Sequence, residues 1–159
     1  MESSSVANII YSSGNQTLLD RIKPLWQELN QHHLCRSPYF KEYYQNLTFE
    51  ERKRVILQRL VGGGHIRVDL AFDSDTLAGY CVSSIDRALT GEIDSIYVDE
   101  TYRGRGIGTN LVKNALTWLN SKGSKKNIVS VGVGNEDAYS FYEKFDFYPR
   151  RTMLEQKKR

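Results

Sequence analysis

The chain has 159 residues, the size of one ordinary domain, and can bury a core without disulfides or a structural metal. Hydrophobic residues make up 40% of it, yet no apolar run approaches the ~20 residues needed to cross a bilayer. Only two cysteines occur, Cys35 and Cys81, which excludes a disulfide framework and a cysteine-rich zinc site. We therefore expect a single domain over residues 1–159, with no metal and no membrane partner.

The net charge of +3 is unevenly distributed along the chain. Residues 103–159 hold 12 Lys and Arg against 5 Asp and Glu, whereas residues 1–102 hold 10 against 14. This asymmetry predicts a positive field that attracts a polyphosphate and an acidic half that tolerates a cationic amine. Nucleic acid is the rival ligand, but basic and aromatic residues do not interleave as such binding requires. Met1 to Gly14 lacks the features of a signal peptide, so we expect a cytoplasmic location.

Helical periodicity dominates the N-terminal part of the chain, after a short apolar segment at Val6 to Tyr11. Apolar residues recur at helical spacing over residues 16–33, where Pro24 predicts a kink or a local start. A second helical stretch follows and is interrupted at Thr48. Gly62-Gly63-Gly64 then ends this helical part as a flexible C-cap and linker rather than as a phosphate loop.

From His65 onward the pattern changes to strands. Three segments, at residues 66–73, 77–85 and 92–98, predict an antiparallel meander. A helix from Ile107 to about Ser121 follows, and then a buried strand at residues 128–133. The remaining predicted elements are a helix from Glu136 to Lys144, whose acidic first turn suits the helix dipole, and one or two strands between Phe147 and Glu155. The fold class is therefore α/β with a mixed α+β sheet, in the order β-α-α-β-β-β-α-β-α-β.

The most informative motif is the loop Arg103-Gly104-Arg105-Gly106-Ile107-Gly108-Thr109, between a predicted strand and a predicted helix. Its glycines allow a sharp turn with uncovered backbone N–H groups, and the following helix directs the positive end of its dipole at the loop. These features are typical of a site for phosphate or pyrophosphate. The spacing matches neither the dinucleotide fingerprint nor the P-loop, which needs a lysine that is absent here, so NAD and ATP are disfavoured.

Read as Arg103-x-x-Gly106-x-Gly108, the loop resembles the acyl-CoA-binding signature [QR]-x-x-G-x-[GA] of the GNAT superfamily of N-acetyltransferases. A second segment, Asn135 to Phe147, is similar to the family pattern N-x-x-A-x-x-[FL]-Y-x-[KR]-x-G-F, with Asp146 in place of the usual glycine. The order of elements is similar to the GNAT fold over nearly the whole chain. This resemblance implies that the fourth and fifth strands splay apart and that the pantetheine arm of acetyl-CoA lies in the opening.

The resemblance assigns the co-substrate acetyl-CoA to a core of about residues 92–147 and the acceptor side to helices at about residues 16–61. The glycine loop would hold the pyrophosphate through its N–H groups, with the arginine side chains as additional phosphate contacts. Asn135 would contact the pantetheine amides, although a helix N-cap is an equal interpretation. The implied cofactor-binding residues are Ile96, Tyr97, Val98, Arg103, Gly104, Arg105, Gly106, Ile107, Gly108, Thr109, Asn135 and Tyr142.

Two carboxylates are candidates for the base that removes a proton from the amine. Glu92 and Asp94 alternate with apolar or small residues, so both are expected on one side of the same strand. An alkylammonium with a pKa of ~10.4 is protonated at neutral pH, so a carboxylate, directly or through water, would help it to react. Glu92 stands eleven residues before Arg103, as the glutamate base does in histone-type members of the family. We therefore expect Glu92 to be the base, with Asp94 or ordered water as alternatives.

The resemblance also implies an oxyanion donor and an acid. The backbone N–H of Val98 would polarise the thioester carbonyl, and Tyr142 would donate a proton to the departing CoA thiolate. Tyr139, one turn earlier, is the competing acid, and a packing role is the alternative for both tyrosines, but we favour Tyr142 as the acid. No cysteine lies near the motifs, which favours direct attack by the amine in a ternary complex.

We therefore expect an N-acetyltransferase that acts on the amine of a small molecule or peptide, and a homodimer is common in this family. The alternative is a catalytically silent acyl-CoA-binding regulatory module, against which the presence of both Glu92 and Tyr142 argues. Adjacent His32 and His33 point in different directions on a helix, so a favourable helix C-terminal charge is expected there rather than a metal pair.

Overall fold

The computed structural model describes residues 8–159, so Val6 and Ala7 of the predicted first apolar segment lie outside it. Within residues 8–159, five strands form one sheet in the order β1-β2-β3-β4-β5, in which only β4 and β5 are parallel neighbours. The strands are β1 Ile9–Gly14, β2 His65–Asp73, β3 Thr76–Ile85, β4 Thr90–Val98 and β5 Lys126–Val129. The α-helices are α1 Lys23–Arg36, α2 Lys41–Asn46, α3 Phe49–Leu57, α4 Ile107–Ser121 and α5 Ala138–Glu143. The predicted meander is confirmed as β2, β3 and β4.

The sheet separates two hydrophobic clusters because successive side chains of a strand point to opposite faces. On one face, Trp26 of α1 and Phe49 of α3 pack in a cluster with alternate residues of β2 and β3. On the other face, Leu111 of α4 and Tyr142 of α5 pack in a cluster with Cys81 and Ile93. The molecule is therefore layered, with the α1–α3 layer on one side of the sheet and the α4–α5 layer on the other.

The α1–α3 layer begins differently from the single helix predicted for residues 16–33. Gln16–Ile22 forms a 3-10 helix, and α1 starts at Lys23 with Pro24 in its first turn. Proline fits there because the first amides of a helix need no intrahelical acceptor. The interruption at Thr48 is confirmed: Thr48 caps α3 by accepting from Glu51 N–H at 3.2 Å, and the Glu51 carboxylate accepts from Thr48 N–H at 3.1 Å.

Two boundaries and one strand predicted for the C-terminal part are wrong. β5 ends at Val129 instead of residue 133, and α5 begins at Ala138 instead of Glu136. The reason lies in the turn between them, where the Glu136 carboxylate accepts the Gly134 N–H at 2.9 Å and so precedes the helix. The predicted closing strand between Phe147 and Glu155 is also absent, since residues 144–159 contain no helix or strand. Pro149 lacks an N–H for a ladder, and the side chains after Phe147 are exposed.

Candidate functional site

The glycine loop turns sharply into α4 through two residues in the left-handed region. Gly104 has φ of +78° and Gly106, directly before α4, has φ of +79°. A Cβ at either position would meet no atom within 4 Å, so the backbone conformation, and not lack of space, requires glycine. Within residues 8–159 no side chain caps the start of α4, which leaves its first amides available to an anion.

The other residues of the loop offer backbone groups to the turn or pack against α5. The Ile107 side chain is buried in the α4–α5 layer, so only its backbone faces the loop, while Thr109 is half-buried in the first turn of α4. A Cβ on Gly108 would lie 3.5 Å from the Phe141 ring, an ordinary contact. The start of α4 therefore lies directly against α5, and an alanine fits at Gly108 as the family pattern allows.

The two loop arginines lie along the flank of the loop. Arg103 Nε donates to the Val98 carbonyl at 3.2 Å, and its guanidinium lies 5.3 Å from the centre of the Tyr97 ring. Arg105 donates to the Thr101 carbonyl at 3.4 Å and lies over Tyr102. Both arginines are exposed, so their contacts are weak and their charges remain accessible to a polyphosphate.

The strands β4 and β5 form a fork. They pair only from Thr90 with Lys126 to Ile93 with Val129. From Asp94 to Val98, the edge of β4 that faces away from β3 therefore has no neighbouring strand within residues 8–159. This opening has the splayed geometry expected from the sequence, and it leads along β4 to the glycine loop.

The register of β3 and β4 determines which amides face the opening. Asp99 N–H donates to the Ala78 carbonyl at 2.8 Å, so this pair is hydrogen-bonded across the ladder. Hydrogen-bonded and non-bonded pairs alternate in an antiparallel ladder, so Tyr97 bonds toward β3 while Ile96 and Val98 direct their N–H groups away from it. The amides of Ile96 and Val98 therefore face the fork. The Tyr97 side chain packs with the α1–α3 layer.

The two β4 carboxylates lie in different environments. A bulge sets Ser95 opposite Val82 but Ile93 opposite Ser83, which leaves Asp94 as the extra residue without a ladder partner. Glu92 Oε2 forms an ion pair with Arg59 Nη2 at 2.9 Å. Burial raises the pKa of Asp94 to about 6, and one of its carboxyl oxygens is buried without a hydrogen-bond partner in the described chain.

Tyr142 lies in the aromatic part of the α4–α5 layer. It is 7% exposed, its ring centre is 5.2 Å from that of Phe141 and 5.9 Å from that of Phe147, and burial raises the pKa of its hydroxyl. Tyr139, the competing candidate, is 42% exposed. The phenol of Tyr142 is therefore held neutral, which is the form that can donate a proton.

Cys81 also lies in this layer, although it is distant from the motifs in sequence. It packs in the same cluster as Tyr142, and burial raises the pKa of its thiol well above the ordinary value. A thiol that stays protonated is a poor nucleophile. The expectation that no cysteine lies near the motifs is therefore wrong in three dimensions. A thiol that stays protonated nevertheless still argues against an intermediate in which cysteine carries the acetyl group.

Asn135 does not cap α5, because the helix begins at Ala138 with Asp137 before it. Its side-chain oxygen lies 3.4 Å from His32 Nε2. Nearby, Arg36 donates to the Asp137 carboxylate at 3.1 Å. The segment between β5 and α5 therefore contacts the C-terminal end of α1.

His33 adds to the same contact. Its ring stacks on Tyr44, with 5.4 Å between the ring centres, and burial lowers its pKa. A lowered pKa favours the neutral ring at neutral pH, so the predicted helix C-terminal charge is not what His33 supplies. Among residues 8–159, no group of three or more His, Cys, Asp or Glu is arranged to hold a metal ion.

Sequence reasoning missed two arginines from the α1–α3 layer. Arg52 donates to the Asp94 carbonyl at the bulge, and Arg59 pairs with Glu92 and donates to Ser84 Oγ at 3.0 Å. Both residues lie more than thirty positions before β4, in a charged helical stretch that looks like a solvated face. Nothing in the local pattern indicates that they reach the sheet.

A cleft of about 540 Å³ lies between α1 and the end of β4. Its walls include the carboxylates of Glu28, Asp99 and Glu100 together with the Tyr97 ring. Three carboxylates therefore border the cleft at the end of β4, and the basic glycine loop follows this end in sequence. No helix within the described residues is both long enough and apolar enough to cross a membrane.

Comparison with other sequences gives one family over most of the chain. The profile described as the acetyltransferase (GNAT) family matches residues 25–147. An uncharacterised N-acetyltransferase of Methanocaldococcus jannaschii is 38% identical over 72 residues, which are 45% of this chain and 32% of that protein. N-alpha-acetyltransferase 30 of Schizosaccharomyces pombe is 33% identical over 82 residues, which are 49% of this chain and 55% of that protein. The matches thus span about a third to just over half of these curated relatives.

Solved structures share the fold. An acetyl transferase from Pyrococcus furiosus has a TM-score of 0.67 at 25% identity and covers 93% of this chain and 99% of its own. An aminoglycoside N-acetyltransferase in complex with CoA has a TM-score of 0.69 at 16% identity, with 99% of each chain covered. The PaiA N-acetyltransferase of Thermoplasma acidophilum, also in complex with coenzyme A, has a TM-score of 0.67 at 21% identity, covering 87% of this chain and 88% of its own. The mixed α/β architecture is therefore the one found in acetyltransferase structures.

Proposed function

Because the chain belongs to the acetyltransferase (GNAT) family, we propose that it transfers an acetyl group from acetyl-CoA to a primary amine by direct attack in a ternary complex. One observation carries this proposal: the fork between β4 and β5 leads into the uncapped N-terminus of α4. An extended amide-bearing arm needs an open strand edge, and a pyrophosphate needs a helix N-terminus. Acetyl-CoA contains both groups in that order.

The chain's residues would divide the binding of acetyl-CoA among three places. Backbone amides from Gly104 to Thr109 would hold the pyrophosphate, aided by the exposed charges of Arg103 and Arg105. The β4 edge from Ile96 to Val98 would hydrogen-bond the pantetheine arm as an added strand does. Asn135, at the other side of the fork, would exchange its contact with His32 for one with the arm.

Three groups would then serve the reaction. A β4 carboxylate takes a proton from the amine, for which the sequence proposes Glu92 and offers Asp94 as the alternative. Val98 N–H, with Ile96 N–H on the same edge, stabilises the negative charge that develops on the thioester oxygen. Tyr142, held neutral by burial, donates a proton to the leaving thiolate.

The acceptor would be the primary amine of a peptide or of a small molecule. N-alpha-acetyltransferase 30 and the aminoglycoside N-acetyltransferase are relatives whose names point to one class each. Tyr39, just before α2, and Tyr43, within it, are 66% and 56% exposed, and the Tyr43 ring contacts the Tyr44 ring. These aromatic faces are available for an acceptor, since buried packing does not use them.

Calorimetric titration with acetyl-CoA tests the proposal, with ATP and NAD as control ligands. We expect saturable binding of acetyl-CoA and none of the controls, followed by release of CoA thiol when an amine is added. A folded sample that ignores acetyl-CoA would contradict the proposal, whereas binding without turnover on any amine would favour the silent regulatory module.

A further inference from the structure

The two β4 carboxylates are not equivalent, and the difference begins with Glu92. Its Oε2 is held by Arg59, which is only 23% exposed and is fixed in turn by Ser84 and by Asp86 at 3.6 Å. Arg59 thus makes one hydrogen bond, to Ser84, and two ion pairs, and its contact with Glu92 is an ion pair without hydrogen-bond geometry. Glu92 is therefore part of a charged network between the segment after α3, β3 and β4.

Asp94 lies at a different kind of position. It is the bulged residue one position beyond the last β4–β5 pair, so it stands where the fork opens. Arg52 of α3 binds its backbone carbonyl and holds the bulge, but the side-chain oxygen Oδ2 is buried with no hydrogen-bond partner among residues 8–159. A buried polar atom without a partner is costly, and such atoms concentrate where a protein keeps a group for chemistry.

Distance along β4 also separates the two carboxylates. Two residues from Asp94 to Ile96 correspond to about 7 Å, and four to Val98 correspond to about 13 Å. From Glu92 to Val98 the distance along the strand is roughly 20 Å. Asp94 is thus the carboxylate nearer to both amides that face the fork, and base and oxyanion donor must act on the same small group of reacting atoms.

We infer that Asp94 accepts the proton of the attacking amine, and that Glu92 is a positioning residue, fixed by Arg59, whose negative charge faces Asp94. This inference rests on the proposed acetyl transfer. In that step the amine, bound as its neutral free base, forms a bond from its nitrogen to the acetyl carbonyl carbon, one N–H proton passes to the Asp94 carboxylate, and the carbon–sulfur bond breaks. Tyr142 supplies the proton to the thiolate, and transfer of the Asp94 proton to the tyrosinate through solvent restores both groups, so charge and protons balance.

The charges around Asp94 support this role. Burial raises its pKa to about 6, hydrogen bonding from Ser84 opposes that rise, and the Glu92 charge adds to it. Arg52 and Arg59, which face Asp94 from α3 and from the segment after it, also oppose the rise. A carboxyl group that titrates near neutral pH is deprotonated under working conditions and still has a high proton affinity, as a general base requires.

The test compares Asp94→Asn with Glu92→Gln, and uses Asp20→Asn as a control at an exposed ion pair with Lys53. CoA release is followed against pH with spermidine, neamine and peptides bearing a free N-terminus as acceptors. We expect Asp94→Asn to lower kcat about 100-fold and to remove the fall in rate below about pH 6. Glu92→Gln should keep the fall in rate at low pH, but at a lower pH, because removing the Glu92 charge lowers the pKa of Asp94. Asp20→Asn should resemble the wild type.

Two further measurements need no acceptor. Because the folded-state pKa of Asp94 is raised, its contribution favours the folded state at low pH and is lost as the pH rises through about 6. Asp94→Asn should therefore have a higher thermal midpoint than the wild type at pH 7.5, which also shows that it folds. Carboxyl NMR should show Asp94 titrating near pH 6, above the ordinary value for an aspartate.

The results separate the two proposals. A wild-type protein that does not bind acetyl-CoA defeats the acetyltransferase function itself. Binding and turnover with an acid limb that disappears in Glu92→Gln and persists in Asp94→Asn would overturn only the inference. An Asp94 carboxyl that titrates at the ordinary value for an aspartate would overturn it as well.

Discussion

The two layers that cover the sheet place their functional groups in different ways. The α4–α5 side presents backbone groups: amides at the start of α4, amides on the open edge of β4, and glycines with positive φ. The α1–α3 side presents side chains that reach the sheet over long sequence separations, as Arg52 and Arg59 do. Backbone groups are positioned by local conformation, whereas side-chain pairs are positioned by packing. The proposed cofactor site is therefore local in sequence, and the proposed proton acceptor depends on tertiary contacts.

If apolar packing positions the α1–α3 layer, a core truncation should have the largest effect. Phe49 is 4% exposed and its ring centre lies 5.5 Å from that of Trp26. We expect Phe49→Ala to lower the free energy of unfolding by about 3–5 kcal/mol because it leaves a cavity. Denaturant unfolding measures this, and Val55→Ala on the same helix, 50% exposed, is the matched control. Equal losses for the two variants would show that the layer is not held by its core.

Tyr142→Phe tests the one side chain that the α4–α5 layer contributes to chemistry. Removing the hydroxyl should lower kcat about 100-fold, since general acid catalysis is lost, and the acetyl-CoA dissociation constant should stay unchanged. Steady-state kinetics and calorimetry together separate these quantities. Tyr139→Phe, at the more exposed tyrosine, should keep wild-type kcat. If instead Tyr139→Phe is the slow variant, the acid lies one turn earlier.

Gly106→Ala tests the backbone amides that the α4–α5 side presents in the glycine loop. An alanine held at a φ of +79° costs about 1–2 kcal/mol, so the loop relaxes and its amides shift. We expect the acetyl-CoA dissociation constant to rise about tenfold, which calorimetry measures. Gly123→Ala is matched, because Gly123 has a φ of +77° and open space around it but lies at the far end of α4. Gly123→Ala should lose similar stability and keep the wild-type affinity for acetyl-CoA. Equal acetyl-CoA affinities for the two variants would show that the conformation of the loop does not contribute to cofactor binding.

The smallest effect is expected for the exposed ion pairs of the α1–α3 layer. Lys53 Nζ lies 2.7 Å from Asp20, whose side chain is 73% exposed. Lys53→Gln should lower the free energy of unfolding by less than about 1 kcal/mol, because water screens and solvates both charges. Thermal unfolding at low and high salt checks this. A loss as large as that of Phe49→Ala would mean that charge pairing positions this layer.

Most elements of the fold could be read from the sequence because their signals are local. The period of two in β2 to β4, the apolar face of α4 and the interruption at Thr48 each depend on neighbouring residues. The errors occur where a distant contact decides. The sequence pattern predicts Glu136 in the first turn of a helix, but its carboxylate accepts a hydrogen bond from Gly134 N–H. The ion pair between Asp137 and Arg36 holds the same segment against α1. The predicted closing strand between Phe147 and Glu155 is likewise wrong, because a strand forms only when its backbone can pair with the edge of another strand, and the local sequence does not report that edge.

What the sequence determined by itself is the glycine loop with its following helix, the motif around Tyr142, and the identity of β4 as the strand that carries the carboxylates. These follow from φ preferences, capping and periodicity, which act within a few residues. Only the tertiary structure decided that Cys81 lies in the same cluster as Tyr142 and that Arg59 forms an ion pair with Glu92. It also decided that a bulge leaves Asp94 at the fork, with one carboxyl oxygen that has no hydrogen-bond partner among residues 8–159. Burial and ion pairing depend on residues far apart in the chain, and they set the proton affinities on which the proposed chemistry depends.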